Sequence, residues 1–468
     1  MAIKIQTRDF DNLVLSPIFL DWVYNGYDSA VTHQLCSVLR PQLEVGTSKK
    51  VYDFEIEMLG PAACMTLRGI KVDLEKREQN RADLTARIAS LTAKFNRLVE
   101  AWGWTEVLNY RSTKQLQFFF YKTLQIPEII KREKGKEKVS LDDAALNKII
   151  NTYPRAEIFA KMVLELRNLE KQLDVMSVTL ENGRWHSSFN VTGTITGRFS
   201  SNKSPWGVGA NLQNIDKKLR DIFIPDEGYI LFYADLQAAE SRAVAYISGD
   251  ENYISACESG DIHTAVCRMV WPEYGWTGDL DKDKHIAKST LWLGKPLRDI
   301  AKMFGHATNY MGSAFTMAKS SGVPRDQVEV FQAKYFAAFP KIKEWHLNVQ
   351  TQLQIHGFIV NPFGRIRHFW KRHNDDATLR EAVAYGPQSV VADVMNNGII
   401  QLHKSDAPAE ILAQIHDACL GQVPKALYSQ ELEARILKLL EYPLEVGGRK
   451  MVIPLDAAFG DNWKQISL

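Results

Sequence analysis

The segment from Tyr229 to Asp250 most constrains what this chain can fold into. It opens with a run of aromatic, β-branched and aliphatic residues, Tyr229-Ile-Leu-Phe-Tyr-Ala234, which ends at a single carboxylate, Asp235. Such runs are typical of buried strands, and from Ala239 onward the apolar spacing becomes helical. An ionised aspartate at the end of a buried strand needs a positive partner, and a divalent cation is one such partner. A helix cap or a turn is the commoner role, so this segment alone leaves both open.

The composition limits the class of protein. A chain of 468 residues exceeds what one core supports, so we expect two or three domains or lobes. The net charge of +2 means that any nucleic-acid contact must rest on local basic patches. No apolar run approaches about 18 residues and no signal-peptide pattern opens the chain, so we expect a soluble, cytoplasmic protein without a membrane partner. The five cysteines form no CxxC pair, which indicates a reducing compartment and no structural zinc: Cys36, Cys64, Cys257, Cys267 and Cys419.

A second acidic site lies near the C-terminus. Two apolar runs, Glu410 to Ile415 and Cys419 to Val423, are predicted to form a hairpin with His416-Asp417-Ala418 at its turn. A tight turn can hold Asp417 at the rim of a sheet, where Asp235 could approach it. Two such carboxylates bridging two cations about 3.5–4 Å apart would serve an in-line displacement at phosphorus. Alternatively, Asp417 serves only the geometry of the turn.

A third element combines charge with aromatic residues. The segment from Leu297 to Gly312 is predicted to be a helix with one cationic and aromatic face, made of Arg298, Lys302, His306, Asn309 and Tyr310. Such a face suits a triphosphate held by Arg and Lys with a base stacked further along. The alternative is an ordinary solvated basic face. Similarly, the basic loop Lys131–Lys138 is either solvated or a flexible tip that touches phosphates.

Together these segments resemble the motifs of family A DNA polymerases. Asp235-Leu-Gln-Ala-Ala-Glu240-Ser-Arg242 resembles motif A, Arg298-x3-Lys302-x7-Tyr310-x-Gly312 motif B, and His416-Asp417-Ala418 motif C. Further segments in the same order resemble the primer-binding, template-binding, fingers and minor-groove segments: Thr196-Gly-Arg198, Asn211-Leu-Gln-Asn-Ile215, Asp261-Ile-His263, Phe363-Gly-Arg365 and Gly386-Pro-Gln388. The resemblance covers roughly residues 52–468.

The resemblance implies an α+β fold in a right-hand arrangement. Residues 51–185 would form a helical thumb and its base, 186–260 and 356–468 an antiparallel palm sheet, and 261–355 helical fingers. The implied reaction is template-directed addition of dNTPs to a primer 3′ end. The implied partners are primer-template DNA and dNTPs.

The resemblance also implies residue roles. Asp235 and Asp417, with the Leu236 carbonyl, would hold two Mg²⁺ ions, for which Mn²⁺ could substitute, and Lys302 would act with them in catalysis. The residues implied to hold the nucleotide are Glu240, His263, Arg298, Lys302, His306 and Tyr310. Those implied to contact DNA are Arg198, Asn211, Gln213, Asn214, Arg365, Gln388 and His416.

Three positions depart from the family pattern. His306 stands where members carry Phe or Tyr, which predicts altered tolerance of sugar-modified nucleotides. Ala418 replaces an acidic residue, which leaves Asp235 and Asp417 as the expected metal set. Met311 interrupts the usual Tyr-Gly pair, with no consequence that we can derive.

The N-terminal segment gives a separate expectation. Tyr24-x3-Asp28 resembles the third motif of the family's 3′–5′ exonuclease domain, but no Asp-x-Glu precedes it. We therefore expect no intrinsic proofreading. Residues 1–50 would be a remnant, or a docking segment for a separate exonuclease chain or another replisome protein. Plain helix packing is the alternative for Tyr24 and Asp28. The short N-terminus and the His-x-x-Asn-Tyr pattern are similar to bacteriophage members.

Two other functions remain open at this point. A single-subunit RNA polymerase shares versions of these motifs, although Glu240 and the primer-binding segments argue against it. An inert primer-template binding protein is the second, and intact Asp235, Lys302 and Asp417 argue against that.

Overall fold

The computed structural model describes residues 17–44, 46–133 and 136–467. The N-terminal part of this range is mostly helical. Asp73, Ser112 and Asp142 each begin a helix by accepting a backbone N–H hydrogen bond, which satisfies a donor that the helix leaves free. The elements, with a π-helix at Phe119–Thr123, are α1 (Pro17–Leu43), α2 (Ser48–Arg68), β1 (Ile70–Val72), α3 (Leu74–Ala101), α4 (Thr113–Phe118), β2 (Ile130–Glu133), β3 (Lys136–Val139), α5 (Asp143–Thr152) and α6 (Pro154–Met176).

The middle of the chain holds short strands and then a long helical region. Short 3-10 helices lie at Lys217–Ile222 and Pro272–Tyr274. The elements are β4 (Arg184–Trp185), β5 (Ser187–Asn190), β6 (Ser200–Lys203), β7 (Phe223–Ile224), β8 (Tyr229–Leu236), α7 (Ala239–Ser248), α8 (Glu251–Glu258), α9 (Ile262–Val270), α10 (Leu280–Ser289), β9 (Leu291–Trp292), β10 (Lys295–Pro296), α11 (Leu297–Asn309), α12 (Ala314–Ser321), α13 (Arg325–Ala338) and α14 (Pro340–His356).

The C-terminal part returns to the sheet. It contains β11 (Phe358–Val360), β12 (Ile366–His368), α15 (Asp376–Lys404), β13 (Glu410–Ile415), β14 (Ala418–Pro424), α16 (Gln430–Leu440), β15 (Leu444–Val446), β16 (Arg449–Met451) and β17 (Leu455–Gly460), with a 3-10 turn at Lys425–Leu427. The main sheet has the order β13-β14-β8-β17, with every pairing antiparallel. The predicted α+β class and the predicted hairpin around Asp417 are therefore confirmed.

Three hydrophobic cores organise these elements. The first covers the main sheet with β8, α15 and α16, and it includes the fully buried Phe232 and Trp463. A second core joins α8, α9, α11, α13 and α14, and a third joins α3 to α6. Helix α7, which follows β8 directly, contributes Ala243 to the first core and Val244 to the second, so the carboxylate at the end of β8 lies close to where these two cores meet.

One local prediction was wrong. The basic segment 131–138 is not a loop: β2 and β3 form an antiparallel hairpin in which Arg132 faces Glu137 across the strands, and this cross-strand ion pair favours the paired form. Residues 134–135 lie outside the described residues. Among the described residues, no helix is both long enough and apolar enough to cross a lipid bilayer.

Candidate active site

The register of the main sheet brings the two predicted carboxylates together. Asp235, near the end of β8, lies directly opposite Ala418 of β14 on one side and Asp456 of β17 on the other. Asp417 immediately precedes Ala418, and its carbonyl accepts a hydrogen bond of 3.2 Å from the Leu236 amide. Residues opposite one another in an antiparallel pair share a sheet face. Asp235 and Asp456 therefore lie side by side at one end of these strands, with the Asp417 turn next to them. We call this end of the sheet, where the three carboxylates lie, the sheet edge.

The Asp417 turn is held by amide side chains beneath it. His416 has φ 58, a left-handed conformation that is uncommon for a non-glycine residue and that tends to occur at functional sites. The Gln414 side chain donates to the His416 carbonyl, and the Gln213 side chain donates to the Gln414 side-chain oxygen at 3.0 Å. Since Gln213 and Gln414 are buried, their hydrogen bonds fix the shape of the turn that presents Asp417.

The electrostatics of this edge favour a bound cation. Burial, and then the charges of Asp417 and Asp456, raise the pKa of Asp235 to about 7, while Lys217 and Arg220 oppose the shift. Burial likewise raises the pKa of Asp417. The raised pKa values mean that the nearby cations do not offset the cost of burying these two carboxylates in their charged form. A divalent cation between them would supply it.

Asp456 is a site residue that the sequence reasoning missed. Its carboxylate accepts a hydrogen bond of 2.5 Å from the Gln237 side chain, and its own side chain is exposed. The segment Pro454-Leu-Asp-Ala-Ala-Phe459 contains proline, aspartate and two alanines, which are uncommon in strands, and its apolar residues do not alternate with polar ones. The pairing with Asp235 therefore depends on a sheet register that the sequence does not give.

Glu240 organises the next part of the site. The turn before α7 places Ala238 in a left-handed conformation, φ 47, which directs the first helical turn back toward the sheet edge. Glu240 then accepts hydrogen bonds from the Arg198 guanidinium at 2.6 Å and from the Tyr310 hydroxyl at 2.7 Å. The His306 imidazole lies 3.9 Å from the same carboxylate and 4.9 Å, centroid to centroid, from the Tyr310 ring. Four predicted site residues are thus in one connected group.

The cationic face of α11 is present, with Arg298 already paired. Its guanidinium donates to both carboxylate oxygens of Asp261, at 3.0 and 3.1 Å. Burial, and then the positive charges of Arg298, Lys302 and His306, lower the pKa of His263 to about 4. His263 is therefore neutral at pH 7, and the four basic groups converge on one region. Lys302 and His306 are exposed.

Asn309 does not lie on that open face, which corrects the prediction. It is buried, and it bonds to the Tyr253 and Tyr335 hydroxyls at 2.9 Å each. Its helical angle matches that of Arg298 and Lys302, but the last turn of α11 lies beneath α8 and α13. Residues on the same side of α11 are therefore exposed near its start and buried at its end.

The candidate DNA contacts divide into accessible and buried residues. Asn214 and His416 are exposed, and Arg198, Asn211 and Gln388 are half-buried. Gln213 is buried in the hydrogen-bonded group under the turn. Arg365, 8% exposed, is held by Glu55 and Asp393. The structure therefore gives Gln213 and Arg365 internal partners and leaves no open face on either.

Comparison with known proteins identifies the family. The model of DNA polymerase family A matches residues 74–465. The chain belongs to DNA polymerase family A.

Individual relatives agree. This family A chain is 28% identical to the thermostable DNA polymerase I of Thermus aquaticus over 425 residues, which cover 86% of this chain and 46% of the relative. It is 28% identical to DNA polymerase I of Geobacillus stearothermophilus, with 88% and 45% covered. The chain thus spans about half the length of the curated relatives it matches.

A solved structure has the same fold. The polymerase domain of Pol1 from M. smegmatis, in complex with a DNA primer-template and a dNTP, superposes with a TM-score of 0.73 at 24% identity, covering 88% of this chain and 70% of that one. The fold of this chain is therefore that of a family A polymerase domain. Every site residue predicted from the sequence lies within the segment 74–465 that the family model matches.

Proposed function

We propose that this family A chain catalyses template-directed addition of dNTPs to the 3′ end of a DNA primer, releasing pyrophosphate. The observation that carries the proposal is the convergence of Asp235 and Asp417 at one sheet edge, with the pKa of both raised by burial. Family membership supports it, as does the similar fold of a domain that is bound to primer-template DNA and a dNTP.

The residues fit two Mg²⁺ ions, with Mn²⁺ as a possible replacement. Mg²⁺ in proteins is usually held by one or two carboxylates together with substrate phosphates. Asp235 and Asp417, with the Leu236 carbonyl, would supply the protein's share. Within the described ranges, no group of three or more His, Cys, Asp or Glu side chains is arranged to hold a metal, so the substrate would complete the coordination. When bound, the ions would activate the primer hydroxyl and neutralise charge on the leaving group.

The α11 face would hold the triphosphate. Lys302 is exposed, and Arg298 can exchange Asp261 for a phosphate without losing a bidentate partner. Neutral His263 would donate one hydrogen bond. Lys302 would also stabilise the transition state, because its ammonium group would offset the negative charge on the transferred phosphoryl group.

Glu240 would close the sugar side of the pocket. Its carboxylate is fixed by Arg198 and Tyr310, and so it presents a rigid wall where a ribose 2′-hydroxyl would need room. Arg198 as a whole is half-buried, and its guanidinium would contact the minor-groove side of the growing pair. Gln388, Asn211, Asn214 and His416 would contact the DNA from the palm. Gln213 and Arg365 would position the DNA-facing segments without touching DNA.

The subdomain assignments follow the same proposal. Residues 51–185 would be the thumb, 261–355 the fingers, and 186–260 with 356–468 the palm. We further propose that the described chain has no proofreading activity, since no metal-holding acidic cluster surrounds Asp28 in the part that the structure describes. Helix α1 exposes large apolar side chains that suit a protein partner such as a separate exonuclease chain: Trp22, Tyr24, Val31, Leu35 and Val38.

Primer extension tests the proposal. The purified chain should extend a labelled primer on a DNA template with dNTPs and Mg²⁺, should fail in EDTA, and should prefer dNTPs to NTPs. It should leave a mismatched 3′ end uncut. DNA binding without any extension would overturn the proposed activity, and removal of the mismatch would overturn the absence of proofreading.

A further inference from the structure

A row of four aromatic rings runs from the last residue of α14 along the surface hairpin of β11 and β12. His356, Phe358, His368 and Trp370 follow one another with centroid distances of 5.7, 5.4 and 5.6 Å. Phe358 and His368 face each other across β11 and β12, so strand register fixes the middle of the row. We call these four residues the aromatic row.

The outer end of the aromatic row has no protein covering it. Trp370 is 91% exposed, the highest value for a large apolar side chain in the described ranges. Its ring stacks on His368 with an interplanar angle of 20°, so one face is supported and the other is open. An indole held in this way is costly in water and is suited to receive a planar group.

The charges near the row favour a polyanion, though weakly. From Ile366 to Glu381 the chain has four cations and three carboxylates. Arg367 and Lys371 both bond to Glu381 at 2.9 Å, whereas no acidic side chain in the described ranges pairs with exposed Arg372. Asp375 and Asp376 begin α15, where Asp375 accepts two backbone N–H bonds. Because the excess of positive charge is small, stacking must carry most of the affinity.

The aromatic row adjoins the proposed DNA path. Glu381, which ties the hairpin to α15, lies seven residues before Gln388 on that helix. At the rise of an α-helix this is about 10 Å. A strand that passes Gln388 can therefore reach the row within a few nucleotides.

We infer that the aromatic row is a stacking platform for the unpaired template strand ahead of the growing pair. The occupant is single-stranded DNA, whose bases stack on Trp370 and His368 while Arg372 lies near a phosphate. Stacking of this kind tolerates any base, as a template requires. This inference rests on the proposed function, since it names the strand on which the reaction acts.

Binding without nucleotide or metal tests the inference. A fixed primer-template duplex carries a template overhang of about two or about ten nucleotides, and its affinity for the full chain is measured by fluorescence anisotropy. The wild type should bind the long overhang more tightly. Trp370→Ala should lose at least about fivefold of that gain, whereas Trp370→Phe should retain most of it. Trp102→Ala, which removes an exposed tryptophan next to the end of α3, is the matched control and should leave the overhang gain unchanged.

Two further arms separate stacking from charge. An overhang of the same length built from abasic nucleotides should lose the gain in the wild type, and the gain should change little between about 50 and 200 mM salt. Equal binding of the abasic overhang, or a Trp370→Ala variant with wild-type preference, would overturn the inference. If the wild type extends no primer while Trp370→Ala still loses the overhang gain, the proposed function fails and the platform stands.

Discussion

The sheet edge and the α11 face hold their functional groups in opposite ways. At the edge, backbone pairing places Asp235 opposite Asp456, and the short side chains have little freedom. On α11 the groups are long cations, and Arg298 is occupied by Asp261. The nearby cations do not offset the burial of the two carboxylates, whose pKa values are raised, whereas the arginine has an exchangeable partner. The difference indicates a fixed site for chemistry beside an adjustable site for holding a ligand.

The largest expected effect comes from the fixed site. Asp235→Asn or Asp417→Asn should reduce primer extension about a thousandfold or more, because each removes a charge that would bind the metal ions. Primer-template affinity should change little. Asp406→Asn, at an exposed aspartate elsewhere, is the control. If both site variants extend the primer at rates within tenfold of the wild type, the sheet edge is not the site of the chemistry.

The raised pKa of Asp235 predicts a pH effect on stability. Its carboxyl binds a proton more tightly in the folded state, with a pKa of about 7, than in the unfolded chain. The folded state therefore loses stability as pH rises from about 4 through 7, by an amount on the order of a few kcal/mol. Metal-free wild type should show a larger fall in melting temperature from pH 5 to 8 than Asp235→Asn. Mg²⁺ should restore more stability at pH 8 than at pH 5.5. Parallel pH curves for the two proteins would show that Asp235 does not titrate in this range.

Substitutions on the α11 face should change the binding of the dNTP substrate. Arg298→Ala removes a charge-assisted contact to phosphate, which should raise the KM for dNTP about tenfold or more. Asp261→Asn should have a smaller effect, because asparagine can still cap α9. Steady-state kinetics separate the two parameters. A fall in kcat with KM unchanged would place Arg298 in the chemical step.

The smallest expected effect comes from substitution of His306, whose imidazole lies 3.9 Å from the Glu240 carboxylate. His306→Tyr should improve the use of dideoxynucleotides severalfold, because a tyrosine ring gives more stacking area than imidazole and adds a hydroxyl near the sugar. Primer-extension assays with mixed dNTP and ddNTP measure the ratio. Discrimination unchanged from the wild type would show that His306 does not line the sugar pocket.

Sequence predicted the elements better than their partners. The strand before Asp235 and the hairpin around Asp417 were identified because apolar runs and turn residues mark them locally. Asp456 was missed, because its role depends on which strand pairs with β8. The family resemblance implies a DNA contact for Arg365, and the helical spacing puts Asn309 on a ligand-facing side, although neighbours distant in sequence bury both: Glu55 and Asp393 in one case, Tyr253 and Tyr335 in the other. The local sequence pattern indicates which segments tend to form strands, helices or turns, whereas side-chain burial and strand register are set by the tertiary structure.

Anomalous diffraction from a complex with substrate would show whether Asp235 and Asp417 bind the metal ions. Crystals of the chain with primer-template DNA, a non-hydrolysable dNTP and Mn²⁺ would show the metal by anomalous scattering. We expect Mn²⁺ peaks between the carboxylates of Asp235 and Asp417, within coordination distance of both and of the triphosphate. Peaks away from this sheet edge, with the triphosphate bound elsewhere, would contradict it.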